Sequence, residues 1–157
     1  MPNWCINTLE VASNQGKELR TFAMGARGEA GVLSLESLRP VPPEIPRLDH
    51  DGLSHEERDW RNEHWGTRVL CKPRLVNAND RRLRYAFDTA WTPPLAWVRY
   101  VSQLFPHVTF YLRYIEIGIP FKGIAIAWRG DLFELCHKAC DEPNLNIPDI
   151  FKWLDLD

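Results

Sequence analysis

His50, His55 and His64 fall in one short stretch beside Asp49, Asp51, Glu56, Glu57 and Asp59. Imidazoles next to carboxylates can move a proton near neutral pH or bind a divalent metal. His55 and Asp59 stand at i and i+4, a spacing that puts two side chains on one helical face. A solvated polar helix explains the same residues equally well. The cysteines Cys5, Cys71, Cys136 and Cys140 offer a second chemistry. Cys136 and Cys140 lie one helical turn apart, but a structural zinc takes about four ligands, and no second ligand pair has matching spacing. Four unpaired thiols serving as small apolar filler are therefore expected, with no metal and no cofactor. The chain has no Gly-rich phosphate loop, no G-x-S-x-G elbow and no H-E-x-x-H helix. These observations point away from an enzyme and toward a binding protein.

A partner surface has clearer candidates. Residues 68–84 carry Arg68, Lys72, Arg74, Arg81, Arg82 and Arg84 against Asp80, whereas residues 131–157 carry a comparable excess of acid. Arginine holds a carboxylate or phosphate with two parallel bonds, which makes it the better interface residue of the two basic types. If Phe110, Leu112 and Tyr114 face a core, strand alternation sends Tyr111 and Arg113 to the opposite face. Arg82 and Arg84 are expected on a neighbouring strand and on the same side. An aromatic ring among arginines on an open sheet is a platform for single-stranded nucleic acid. Trp65, at an expected helix-to-strand junction, joins the candidates as a half-exposed ring. The predicted partner-binding set is thus Arg68, Arg81, Arg82, Arg84, Tyr111, Arg113 and Trp65. Two facts weigh against nucleic acid. The net charge of the 157 residues is −2, and the strand around Tyr111 lacks the Gly-and-aromatic pattern of RNA-recognition strands.

Elements that would position these residues can be read along the chain. Trp4–Val11 alternates as a strand, with Cys5, Asn7, Leu9 and Val11 on one face. Leu19, Phe22, Ala23 and Ala26 recur as one face of a helix at 15–26. Pro40, Pro42, Pro43 and Pro46 block regular structure, so an ordered insertion is expected over about 33–65. Within it, Ser54-His55-Glu56-Glu57 matches a capping box that opens a short helix ending near Glu63. Strands are predicted near Thr67–Pro73 and at Leu83–Ala90. Thr92-Pro93-Pro94 opens a helix, with Thr92 as its cap and a buried stripe at Leu95, Val98, Val101, Leu104 and Phe105. Val108–Ile117 and Phe121–Arg129 form a hairpin. Helices are predicted at 131–140 and 148–155, as a tail over 131–157 packed on a domain spanning 1–130. This order gives an α+β fold: a ferredoxin-like antiparallel sheet with helices on one face, a Pro-rich insertion and a short helical tail. The 18.3 kDa mass suits one domain. No apolar run approaches a membrane span, and the opening residues lack the basic and apolar regions of a secretory signal, so a cytoplasmic location is expected.

Several blocks carry a family resemblance. They are Met1-Pro2-Asn3-Trp4-Cys5-Ile6-Asn7, Trp65-Gly66-Thr67, Phe87-Asp88-Thr89-Ala90-Trp91-Thr92-Pro93-Pro94 with Trp97, Phe105-Pro106, Tyr114-Ile115-Glu116-Ile117-Gly118 and Phe121-Lys122-Gly123. Over about residues 1–130 the chain resembles the YubB and Api92-like family of phage and plasmid proteins with a ferredoxin-like domain. In that pattern Asn3, Trp4, Asn7, Trp91, Pro93, Pro94, Trp97 and Glu116 are structural residues. Trp4, Trp91 and Trp97 are expected to fill the core, and Asn3, Asn7 or Glu116 to receive buried indole N–H groups. The chain departs from the family after Thr67, where it runs Arg68-Val69-Leu70-Cys71. The resemblance implies a bacterial mobile-element origin but no reaction. With small size and no catalytic constellation, it leads to a non-enzymatic inhibitor of a host protein complex, such as an anti-CRISPR protein on a CRISPR effector. The alternative is a single-stranded nucleic-acid binder.

Overall fold

A computed structural model describes residues 2–29, 31–47 and 52–138. The elements are β1 (Trp4–Ala12), α1 (Gly16–Gly25), α2 (Leu35–Leu38), α3 (His55–His64), β2 (Leu70–Ala78), β3 (Arg82–Ala90), α4 (Leu95–Leu104), β4 (Thr109–Glu116), β5 (Phe121–Trp128) and β6 (Asp131–Lys138). All six strands join one antiparallel sheet in the order β2-β3-β1-β4-β5-β6. Its first four strands with α1 and α4 make the β-α-β-β-α-β ferredoxin-like unit. The β5–β6 hairpin widens the sheet beyond β4.

Strand alternation decides which face is buried. Cys5, Asn7, Leu9 and Val11 of β1, Leu83, Tyr85, Phe87 and Thr89 of β3, and Phe110, Leu112 and Tyr114 of β4 all turn toward the helices and are buried. From α1, Phe22 meets Tyr85, Phe105 and Phe110 edge-on, with ring centroids 6.1, 5.4 and 5.3 Å away. Each such pair adds roughly 0.5–1.5 kcal/mol beyond area burial. Asn7 is the polar member of the β1 face. Its Nδ2 donates to the Cys5 carbonyl and to Thr89 Oγ1, both at 2.9 Å, which ties β1 to β3. A buried amide needs such partners.

The insertion is more structured than its prolines suggest. Leu33, Leu35 and Val41 are buried and α2 forms within it. Indole N–H groups find backbone acceptors here rather than Asn3, Asn7 or Glu116: Trp97 Nε1 donates to the Leu35 carbonyl and Trp65 Nε1 to the Arg39 carbonyl, each at 2.9 Å. Trp97 is fully buried. Trp4 and Trp91, expected in the core, are exposed, Trp91 at 40%. Trp91 also has a left-handed backbone (φ 68°). It ends β3, and its N–H bonds the Asn3 carbonyl at 2.9 Å. Glu116 instead accepts from the backbone N–H groups of Gly118 and Ile119, which closes the β4–β5 turn.

Several boundaries moved. The cap of α4 is Pro94 rather than Thr92; the Thr92 hydroxyl donates to the Gly66 carbonyl. Along α4 the buried face is Trp97, Val98, Val101 and Ser102, and Leu104 is exposed. Ser54 does cap α3, accepting from the Glu57 N–H at 3.0 Å. The Glu57 carboxylate, however, turns to Arg61 at 2.7 Å. The largest correction concerns 131–140. Residues 131–138 are the strand β6, not a helix. Arg129 and Gly130 both have positive φ (51° and 85°), as a two-residue hairpin turn with the native twist requires. α4 anchors that turn: Arg99 Nε donates to the Gly130 carbonyl and the Gly130 N–H to Ser102 Oγ, both at 2.8 Å. The expected helix at 148–155, Cys140 and His50 lie outside the described residues.

Candidate binding face

The side of the sheet away from the helices presents two cross-strand rows. Register places Arg84 of β3 opposite Glu10 of β1, Glu10 opposite Tyr111 of β4, Tyr111 opposite Ile126 of β5, and Ile126 opposite Phe133 of β6. One step along, the row reads Ala86, Thr8, Arg113, Ile124, Leu135. The β3–β1–β4 half is polar and basic, and the β5–β6 half is apolar. Phe133 is 75% exposed and Leu135 73%. Ile126, Trp128 and Tyr111 are exposed too.

Thr8, Glu10, Arg82, Arg84, Tyr111, Arg113, Ile124 and Ile126 line a cavity of about 390 Å³ on this face. The Glu10 carboxylate lies 3.4 Å from Arg82 and 3.2 Å from Arg84. Arg113 forms no ion pair among the described residues. Thr8 is 6% exposed and its Oγ1 has no hydrogen-bond partner there. Behind this face, Tyr114 anchors β6. Its hydroxyl donates to the Glu134 carboxylate. Burial, reinforced by that hydrogen bond, holds the phenol far above its ordinary pKa.

Of the predicted partner-binding residues, the fold gathers Arg82, Arg84, Tyr111 and Arg113 on this face. The arginines of β3 are not on a neighbouring strand to Tyr111, since β1 lies between and contributes Glu10. Arg81 sits at the β2–β3 turn, beyond the cavity. Arg68 precedes β2 at the far end of that hairpin, because Leu70 pairs with Thr89. Trp65 is only 3% exposed. Its ring is covered by Arg61, 4.7 Å from the centroid, and meets Trp60 edge-on, which keeps it away from the open face of the sheet. Sequence reasoning missed Thr8, Glu10, Ile124, Ile126, Phe133 and Leu135. The sequence signal for β6 was weak, because neither alternate set over 131–138 is uniformly apolar.

The other chemical candidates do not assemble. His55 and Asp59 are both exposed. His64 stacks on Trp60 at 4.5 Å, with Nδ1 2.9 Å from the Trp60 carbonyl. Among the described residues no three potential ligands converge on a metal position, and Cys5, Cys71 and Cys136 are unpaired. A larger cleft of about 820 Å³ runs between β2 and residues 28–37, with Cys71, Arg61 and Trp65 in its lining. Burial, with Asp88 nearby, raises the Cys71 thiol pKa, which disfavours a nucleophilic thiolate. Among the described residues no helix is long and apolar enough to cross a membrane.

Strand order and the crossover helices define the class: a ferredoxin-like α+β protein with a two-strand extension. Residues 74–146 match the family model described as the ferredoxin-like domain in Api92-like protein. The match takes in β3, α4 and β4–β6, so it runs beyond the region of sequence resemblance; the Met1–Asn7 and Trp65–Thr67 blocks lie outside it. A crystal structure of the protein Api92 from Yersinia pseudotuberculosis is similar in fold, with a TM-score of 0.55 over 88% of this chain and 98% of that chain, at 12% identity. No curated protein matched the chain.

Proposed function

We propose that this is a non-enzymatic binding protein that docks a protein partner on the open face of its sheet. The observation that carries the reading is the exposed apolar strip of Ile126, Phe133 and Leu135 running into Tyr111 and the arginines 82, 84 and 113. Contiguous exposed apolar surface rimmed by polar groups marks interaction sites. Aromatic residues and arginine are enriched in such interfaces. Ile and Leu side chains neither stack on bases nor contact phosphates, so they favour a protein. The finer form of the reading is inhibition of a host complex such as a CRISPR effector, by a phage or plasmid protein in the bacterial cytoplasm. It adds to the geometry what the sequence resemblance implies about origin. A second reading, single-stranded nucleic acid on the same face, is favoured by Tyr111 lying among arginines; Glu10 at the centre of the row opposes it.

Affinity capture from bacterial lysate with the wild type and Phe133→Asp tests the leading reading. It expects a protein retained by the wild type and lost by the variant. Binding dominated by an oligonucleotide, with affinity falling steeply as salt rises, would replace it with the second reading.

A further inference from the structure

We propose that the centre of the open face is a carboxylate-reading site for an acidic and apolar protein segment, and that Glu10 is its built-in competitor. The proposal rests on the docking reading above and specifies the chemistry of the docked segment. Glu10 already demonstrates what the site accepts. Its carboxylate, on the middle strand, is held by both Arg82 and Arg84. On the other side of β1, Arg113 stands opposite Thr8 in the register and has no ion pair among the described residues. Thr8 Oγ1 is buried without a hydrogen-bond partner among the described residues, and Thr8 belongs to the lining of the same cavity. A buried hydroxyl left unpaired costs free energy that an incoming acceptor recovers. A guanidinium beside a hydroxyl suits a carboxylate, which accepts from both.

The wall next to this polar centre fixes the rest of the ligand. Ile124 is opposite Arg113, and Leu135 is opposite Ile124. Neighbouring strands lie ~4.8 Å apart, close to the ~5–6 Å between helix residues four apart. A helical segment with an acidic residue over Arg113 therefore sets an apolar residue, one turn on, over Ile124 and Leu135. Charge complementarity selects the acid, and the exposed isoleucine and leucine select the apolar partner. In the free protein Glu10 neutralises two of the three arginines, so the face presents less net charge than its composition suggests. Removing that carboxylate without changing its shape removes the competitor of an external acid.

The test is a titration of the isotope-labelled full chain, followed by NMR, with a capped peptide of repeated Glu-Ala-Ala-Ala-Leu. The same peptide with Gln for Glu and a short oligo-thymidine serve as comparisons. Saturable shifts are expected at Thr8, Arg113, Ile124 and Leu135, with the Gln peptide about tenfold weaker, the loss of one charge-assisted pair. Glu10→Gln should tighten the acidic peptide severalfold. Arg113→Gln should weaken it about tenfold, and Thr8→Val should weaken it less while preserving the shift pattern. Equal affinity for the two peptides, no saturation with wild type or Glu10→Gln, or binding of the oligonucleotide alone would each overturn the proposal. If the peptides fail while Phe133→Asp still strips a captured protein, this proposal falls and the docking reading stands. If neither experiment responds, both fall.

Discussion

Gly123→Ala is a sharp test of how the open face is built, although Gly123 lies on the opposite side of the sheet. Gly123 pairs with Tyr114 across β4 and β5. A Cβ there would lie 2.0 Å from Tyr114 Oη, 2.2 Å from Cζ and 2.8 Å from Cε1. These atoms belong to a ring that is almost fully buried and meets Phe121 edge-on at 6.0 Å, so it has little room to yield. Overpacking costs ~1–3 kcal/mol. Pulling the phenol from Glu134 forfeits a hydrogen bond to a charged group, worth ~1.5–3 kcal/mol. Replacing a strand glycine returns ~0.5–1 kcal/mol. The net expectation is a loss of about 2–5 kcal/mol, read as a lower urea midpoint at unchanged slope. On a Tyr114→Ala background the same change should cost almost nothing. Glu134 lies on β6, whose opposite face carries Phe133 and Leu135, so Gly123→Ala should also weaken partner capture without touching the face. A cost below ~0.5 kcal/mol, or the same cost in both backgrounds, would refute the packing argument.

Trp97→Ala should cost about 3–5 kcal/mol in chemical unfolding, as other buried aromatic truncations do, whereas the exposed Trp91→Ala should cost under ~1 kcal/mol. Burial pushes the Tyr85 phenol and the Cys5 thiol each up to about 12. These groups ionise first in the unfolded chain, so their stabilisation is whole below pH ~9–10 and fades as pH rises toward 12. Thermal midpoints at pH 8 to 11.5 should therefore fall at the alkaline end, less steeply for Tyr85→Phe. Aromatic disulfide reagents should label the exposed Cys136 quickly in the native protein and reach the buried Cys5 only after denaturation.

The central unit was legible because its strands obey period two. Period two grouped Cys5, Asn7, Leu9 and Val11 on one face, and the structure buries that set; the alternation at Phe110-Leu112-Tyr114 put Tyr111 and Arg113 on the opposite side. The β6 strand was missed because Asp131-Leu132-Phe133-Glu134-Leu135 mixes charge with apolar residues on both faces. An edge strand with one open side does not need a clean apolar face. Trp65 and Trp91 changed places between expectation and structure for reasons local sequence does not hold. Trp65 is buried by the insertion, through the Arg39 carbonyl and Arg61. Trp91 is turned outward by a left-handed backbone that ends β3. The basic stretch was visible as composition, but only strand order separates Arg82 and Arg84, which reach the cavity, from Arg68 and Arg81, which do not. Glu10 was invisible as a site residue, because its role depends on β1 lying between β3 and β4.

Hydroxyl-radical footprinting of the full chain, alone and with the protein it captures from bacterial lysate, tests the docking surface most directly. Side-chain oxidation reports solvent access residue by residue, and the open face is rich in reactive aromatic and leucine side chains. The account predicts protection of Tyr111, Trp128, Phe133 and Leu135 on complex formation, with Met24 on α1 and Leu104 on α4 oxidised as before. Protection confined to Met24 and Leu104, or to Val69, Leu70 and Pro73 along the larger cleft, with Phe133 and Leu135 unchanged, would contradict it.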